Sequence, residues 1–273
     1  MNIYPLLFVG GRRVLVTVAF LVLALILIGV LWTVSVHAMA LDSFGTPTPL
    51  DVWDYWVAQP DSPAHRELVL GAMWTTLGHA LTGYAVGTVV GVLLAMLFVT
   101  VPAVERATLP TVLLIQTVPI LAILPLFILL FGRGLLVTTI ITGLTVFFPT
   151  LVWVSQGLRS PKPTTLDFFE SVAATPWTVM TRLRFPSAVA GVFVAARLAV
   201  PGAVFGAFVS EWLATGDGLG YLVVISMQGV GGYEPLWATV AVTTLMTMAL
   251  YVIVETAESI ALVYYAPERL IRR

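Results

Sequence analysis

The sequence predicts an all-α membrane protein of about six transmembrane helices. Composition is the first reason: apolar residues make up 59% of the 273 residues and charged residues only 10%, whereas a soluble domain carries roughly 25% charged. The second is that several apolar runs exceed the roughly 20 residues needed to cross a bilayer core. The third is that basic residues gather on alternate connections. A soluble chain of this length could not hide so much apolar surface. With no cysteine, disulfides, thiolate catalysis and Cys-ligated metal sites are excluded. The net charge of −1 argues neither for nor against a nucleic-acid partner, and none is expected of a chain built for the bilayer.

Run length and helix breakers place the spans at about 14–36, 68–100, 109–131, 135–158, 188–210 and 236–262, so that residues 1–273 read as one transmembrane domain. Before the first span stand Arg12 and Arg13, and after it Ala38-Met39-Ala40 resembles a signal-peptidase site. The run from Val14 to Val36 is longer than the ~7–15 residues of a signal h-region, so a retained helix is expected. The polar stretch from His37 to Glu67 follows. In it, Thr46-Pro47-Thr48-Pro49 reads as an extended turn, and Asp51 to Ala58, with Val52, Trp53, Tyr55 and Trp56, as a short interfacial helix. The second span is long enough to tilt, and its Gly83, Gly87 and Gly91 form a stripe for close helix packing. Pro119 and Pro125 should kink the third span. Kinked helices with freed carbonyls can line a path, which makes Gln116 and Thr117 candidate translocation residues.

Charge sets the expected orientation. With a cytoplasmic N-terminus, the cytoplasmic segments hold Arg12, Arg13, Arg106, Arg159, Lys162, Arg182, Arg184, Arg269, Arg272 and Arg273, and the outer ones only Arg66 and Arg133. The outer segments collect Asp42, Asp51, Asp54, Asp61, Glu67, Glu211, Asp217 and Glu234. A multi-pass protein of the cell membrane with both termini cytoplasmic is expected. The outer connection from Glu211 to Pro235 is apolar from Leu219 to Met227 and reads as a re-entrant or surface helix.

The connection 159–187 predicts a helical knob. Pro161-Lys162-Pro163 stops the fourth span. Thr164 with Asp167 three residues later suggests a capping box for a helix from Leu166 to Ala174. Thr175-Pro176 is a second start signal, for a helix that ends before Pro186. Phe168, Phe169 and Trp177 then face outward as anchors for a partner's groove, or else pack under the neighbouring spans.

Asp167 through Pro186, DFFESVAATPWTVMTRLRFP, resembles the cytoplasmic EAA loop of ABC importer permeases. Asp167 stands at the Glu position of that pattern, Phe168 and Phe169 at its two Ala, Ala173 at its Gly and Pro186 at its closing Pro. Gln116-Thr117-Val118-Pro119, Leu124-Pro125-Leu126, Phe131-Gly132-Arg133-Gly134 and the stretch Glu211 to Gly220 are similar to the nitrate, sulfonate, taurine and pyrimidine-precursor branch of these permeases. The resemblance implies a type I permease fold and a pore of two permease subunits, the second an identical copy or a homologue. It implies separate ATPase subunits that grip the loop, and an extracytoplasmic binding protein that delivers substrate. The coupling role falls on Asp167, Glu170, Ala173, Ala174, Thr175, Pro176, Trp177, Arg182 and Pro186. ATP and Mg would be used by the partner, with no cofactor bound by this chain. Independently, the single lysine, Lys162, follows Pro161 and forms no Walker A loop.

Arg197 lies about ten residues into the fifth span, roughly 15 Å from its start. Such a charge costs roughly 2.5–3.5 kcal/mol on insertion scales and should face the bundle interior. It reads as a path or gating residue, or as a structural ion pair with Glu255 or Glu258, the favoured reading. Glu211 either lines an outer gate or caps its helix. His37, His65 and His79 have no metal-ligand spacing, and His79 reads as a hydrogen-bonded packing residue. The leading function is therefore the permease subunit of an ATP-driven importer. A secondary transporter or channel without an ATPase is the alternative, though it leaves the knob without a role. An enzyme ranks last, for want of any Ser/His/Asp set, metal cluster or nucleotide loop.

Overall fold

In the computed structural model, residues 4–40, 46–228 and 233–265 are described; Asp42, Arg269, Arg272 and Arg273 lie outside them. Helix α1 (Tyr4–Ala38) leads to a short α2 (Pro49–Val57) and a long α3 (Ser62–Thr100). Next come α4 (Pro102–Thr117), α5 (Ile120–Phe131) and α6 (Leu135–Leu158). The knob begins with α7 (Pro163–Ser171) and α8 (Pro176–Val179), and α9 (Phe185–Ser210), α10 (Gly218–Ser226) and α11 (Glu234–Tyr265) complete the order. Among the described residues, five stretches are long and apolar enough to cross a membrane: Val14–Ala38, Ser62–Thr100, Leu135–Leu158, Pro176–Thr215 and Glu234–Leu262. A sixth exists if α4 and α5 count as one broken span.

The bundle is built around α6, which packs most extensively on α3 and α9. The α3 glycine stripe makes this possible. Gly83, Gly87 and Gly91 are buried against Thr142, Gly143, Val146 and Thr150 of α6. A Cβ on Gly87 would lie 2.9 Å from the Val146 Cβ, and one on Gly91 2.9 Å from the Thr150 Cβ. Both distances are below contact, so only glycine lets these backbones meet. On the other flank, Gly191 and Gly206 of α9 meet α6 backbone atoms. Lipid tails are as apolar as leucine, so helices in a bilayer associate through such close packing. The central core accordingly uses small residues: Ala80, Ala199, Ala203 and Ala207 with Val69, Val146, Leu219 and Val242. The outer helix α1 instead turns Leu15, Phe20, Leu23 and Ile26 outward, as a lipid-facing helix should.

The third span departs from a simple kink. Its two halves, α4 and α5, are bent by 102° at Val118-Pro119. Val118 is extended (ψ 124°), as a residue before proline prefers. Pro125 breaks nothing, because α5 continues through it. The second helix of the knob is also not a separate element. From Pro176 the chain stays helical to Thr215, straight past Pro186. The π-helical turn Met180–Arg184 explains this, since Phe185 N–H donates to Met180 O five residues back. The wider turn accommodates the proline ring at the next position. Two smaller corrections concern starts. Helix α7 begins at Pro163 with Lys162 as its cap and ends at Ser171, and the Thr164–Asp167 box is not formed. Helix α2 begins at Pro49 rather than Asp51, capped by Thr48, whose hydroxyl and backbone N–H both meet Asp51. Helix α10 forms where the apolar outer stretch suggested, with Leu219, Leu222 and Val223 buried.

Candidate functional site

Residues 159–187 stand at one end of the bundle. Their base is tied down: Arg159 pairs with Glu105 of α4, Arg184 Nη1 donates to Leu158 O at 3.0 Å, and Ser160 donates to Ser187 O at 3.3 Å. The tip is not covered. Phe168 is 61% exposed and Trp177 68%, so these two aromatic side chains of the knob face outward rather than packing under the spans. Phe169 is half-buried, meeting Phe168 edge to face. Asp167, Glu170, Ala173, Thr175, Pro176, Arg182 and Pro186 are exposed and Ala174 is half-buried. Thr175 is the expected N-cap: its hydroxyl accepts from Thr178 N–H at 3.2 Å, with Pro176 in the first turn. Ala173 has φ +50°, a left-handed backbone. At the position where the EAA pattern carries Gly, the chain thus adopts the conformation that Gly favours. The tight turn between α7 and α8 is kept despite the substitution.

Two ionic clusters lie inside the bundle. Arg197 of α9 reaches two carboxylates of α11: Nη1 lies 3.2 Å from Glu255 Oε2, and Nε 3.1 Å from Glu258 Oε2. Thr17 of α1 adds a 3.4 Å hydrogen bond to Glu255. The expected contact of Arg197 with Glu255 or Glu258 is present, and both glutamates are engaged. The second cluster centres on Glu211, at the end of the Pro176–Thr215 helix far from the knob. Its side chain is wholly buried. Oε2 accepts from the Thr76 hydroxyl at 2.8 Å and from Gly220 N–H at 3.0 Å, and Oε1 meets His79 Nδ1 at 2.8 Å. Thr76 Oγ1 also accepts from Leu219 N–H at 2.8 Å. Gly218, at φ +81°, leaves the space beside its Cα that this carboxylate fills. Glu211 thereby pins α10 to α3. His79 is a hydrogen-bonded packing residue as read, but nothing in the sequence marked its partner, Thr76 or the Leu219 and Gly220 amides. Thr76 and His79 lie more than 130 positions from Glu211.

Gln116 and Thr117 end α4, exposed, just before the 102° break, and the Thr117 hydroxyl is turned back to Leu114 O at 2.7 Å. Among the described residues no group of His, Asp and Glu could hold a metal ion.

The chain is thus a bundle of helices long and apolar enough to span a membrane, with a helical knob at one end. The chain belongs to the family of binding-protein-dependent transport system inner membrane components, whose pattern matches residues 87–260, well over half of its length. It is similar to the formylaminopyrimidine transport permease protein ThiX of Halalkalibacterium halodurans, at 29% identity over 76% of this chain and 82% of the relative. It is also similar to the riboflavin transport system permease protein RibX of Chloroflexus aurantiacus, at 27% identity over 84% of each chain. A third relative is the putative aliphatic sulfonates transport permease protein SsuC of Bacillus subtilis, at 23% identity over 60% of this chain and 61% of the relative. This chain is a multi-pass permease subunit of an ATP-binding-cassette importer, a system that works with an ATPase and a binding protein.

Proposed function

We propose that the knob at residues 159–187 lies in the cytoplasm and docks into a cleft of an ABC ATPase. Two permease subunits, this one and a copy or close homologue, then form the pore under an extracytoplasmic binding protein. The observation that carries this reading is the exposure of Phe168 on α7 and of Trp177, the latter on a helix that runs on from the knob through an apolar stretch long enough to cross a membrane. Asp167, Glu170, Ala173, Ala174, Thr175, Pro176, Trp177, Arg182 and Pro186 form the contact surface. ATP and Mg act in the partner, where nucleotide-driven closure moves the knob, and this chain performs no catalysis of its own. Both termini lie on the knob's side of the membrane. Co-purification with an ABC ATPase subunit expressed alongside tests the docking. Trp177→Asp and Glu170→Arg should each release the ATPase while leaving the permease in the membrane; retention of the complex by both variants sinks the reading.

Gln116 and Thr117 at the break line the path, Glu211 closes its outer end as a fixed wall, and Arg197 braces the bundle. The solute is best taken as an uncharged nitrogen heterocycle. Arg197, midway along the fifth span, is held by two carboxylates, and Glu211 adds a third acidic group. An anion would meet repulsion without a counter-charge. In vesicles holding the assembled system, the cognate binding protein should deliver a pyrimidine or flavin-type compound. Uptake of a sulfonate in its place would reverse the assignment.

A further inference from the structure

At the end of the bundle opposite the knob, α1, α2, α3 and α11 enclose an apolar cavity of about 480 Å³. Trp32, Trp53, Trp56, Leu70, Met73 and Leu245 are among its walls. Its position in the bilayer follows from helical rise. Trp32 stands six residues before the end of α1 and Met246 twelve after the start of α11, so the cavity extends from about 9 to 18 Å below the helix ends. In a hydrocarbon core about 30 Å thick that is acyl-chain depth, from within one leaflet to about the midplane. Helix α2 roofs it. One face of α2 buries Val52 and Tyr55 against Ala238 of α11. Along its other side Leu50, Trp53 and Val57 follow at helical spacing, exposed at 73%, 63% and 53%, with Trp53 also at the edge of the cavity. A short helix with such a stripe rests in the layer between headgroups and chains, so the cavity under it opens to lipid rather than to water.

The rim carries a cation. Arg66, Leu70 and Met73 share one face of α3 by their spacing of four and three, and the latter two line the cavity. Arg66 Nη1 donates to Trp56 O at 2.7 Å, which holds the guanidinium at the α2–α3 corner. Its fork offers further donors suited to a phosphate. We infer that the cavity is a phospholipid site, with one acyl chain between α1, α2, α3 and α11 and the phosphate over Arg66. Apolar volume at chain depth beneath a cation at headgroup depth matches a phospholipid and neither a soluble solute nor a free phosphate ion.

The test uses the full permease, co-purified with its ATPase from membranes, reconstituted with phosphatidylethanolamine and phosphatidylglycerol, and stripped with mild detergent. Native mass spectrometry should find a single phospholipid retained per chain. Ala241→Phe and Leu245→Trp, which fill the cavity, should remove it; Arg66→Ala should lower retention several-fold; Leu129→Ala, exposed on α5 away from the cavity, should leave it unchanged. Unfolding temperatures identify any filling variant that is misfolded. In that event quenching decides: phospholipid brominated along its chains should keep quenching wild-type tryptophan fluorescence after dilution into unbrominated lipid. Full exchange of that quenching overturns the site, as does undiminished retention in a folded filling variant. Disulfide capture between Trp53→Cys of two copies would overturn it too, by showing that a second chain occupies the cavity.

Discussion

Ala173 sits at φ +50° in the turn that joins the two knob helices. A residue with a Cβ in that region is disfavoured by roughly 1–2 kcal/mol relative to its usual backbone, a penalty that glycine escapes. Ala173→Gly should therefore raise the unfolding temperature by about 2 °C, read in detergent by thermal denaturation. Glu211 presents the opposite case, a side chain that cannot be spared. Glu211→Ala would leave the Gly220 N–H without its acceptor and take one from Thr76 and His79, a loss of roughly 3 kcal/mol. Limited proteolysis within 216–233 should detect α10 coming loose. Arg197→Ala removes the cation that two buried carboxylates share and should sharply lower the yield of folded protein, since breaking a buried pair costs roughly 3–5 kcal/mol. If Arg197 is a brace, Arg197→Met with Glu255→Gln and Glu258→Gln should recover both folded protein and uptake. Recovered fold with no uptake would instead put Arg197 in the path.

The elements show which parts of the fold were legible in the sequence. Span length and glycine spacing could be read directly, because each follows from local chemistry: bilayer thickness for one, the absence of a Cβ for the other. Gly91→Leu should accordingly split α3 from α6 and eliminate membrane-inserted protein, measured by yield after extraction. The size of the bend at Pro119 was not legible. Proline frees a backbone bond, but the packing of neighbours decides whether the helix then leans or turns by 102°. Pro186 misled in the other direction, because no sequence signal marks a π-helical turn. Helix α2 adds a test of pH. Its capping box holds the Asp51 carboxyl below its ordinary 3.8, chiefly through the backbone hydrogen bond from Thr48. A lowered value means stability that is present above 3.8 and lost as pH falls through the folded value. Between pH 7 and pH 5 α2 should therefore stay docked, with Trp53 and Trp56 emission changing only below about pH 4; Thr48→Ala should weaken the cap throughout that range.

At the scale of the molecule, the helix from Pro176 to Thr215 spans 40 residues, about 60 Å at ordinary helical rise. That is twice the hydrocarbon core, so the helix must protrude, and the knob is the end that does. The chain has no cysteine, so single cysteines report its placement without background. Thr175→Cys should react in intact cells only with a membrane-permeant maleimide, and Leu50→Cys with an impermeant one; the reverse pattern would invert the orientation. The knob was legible because its signals are contiguous: prolines, a threonine cap and outward aromatics, all between Pro161 and Trp177. The Glu211 cluster was not, because it joins α3 to the far end of α9, and nothing short of the fold itself brings those segments together.

The glycine seam between α3 and α6 has a dynamic corollary. Helices that touch backbone to backbone have no side chains to slide or swap between rotamers, so they keep a single register and travel as one slab. Shape change during a transport cycle has to be absorbed elsewhere, and the sharp elbow at Val118-Pro119, where no helical hydrogen bonds cross, is the place in this chain where it is cheapest.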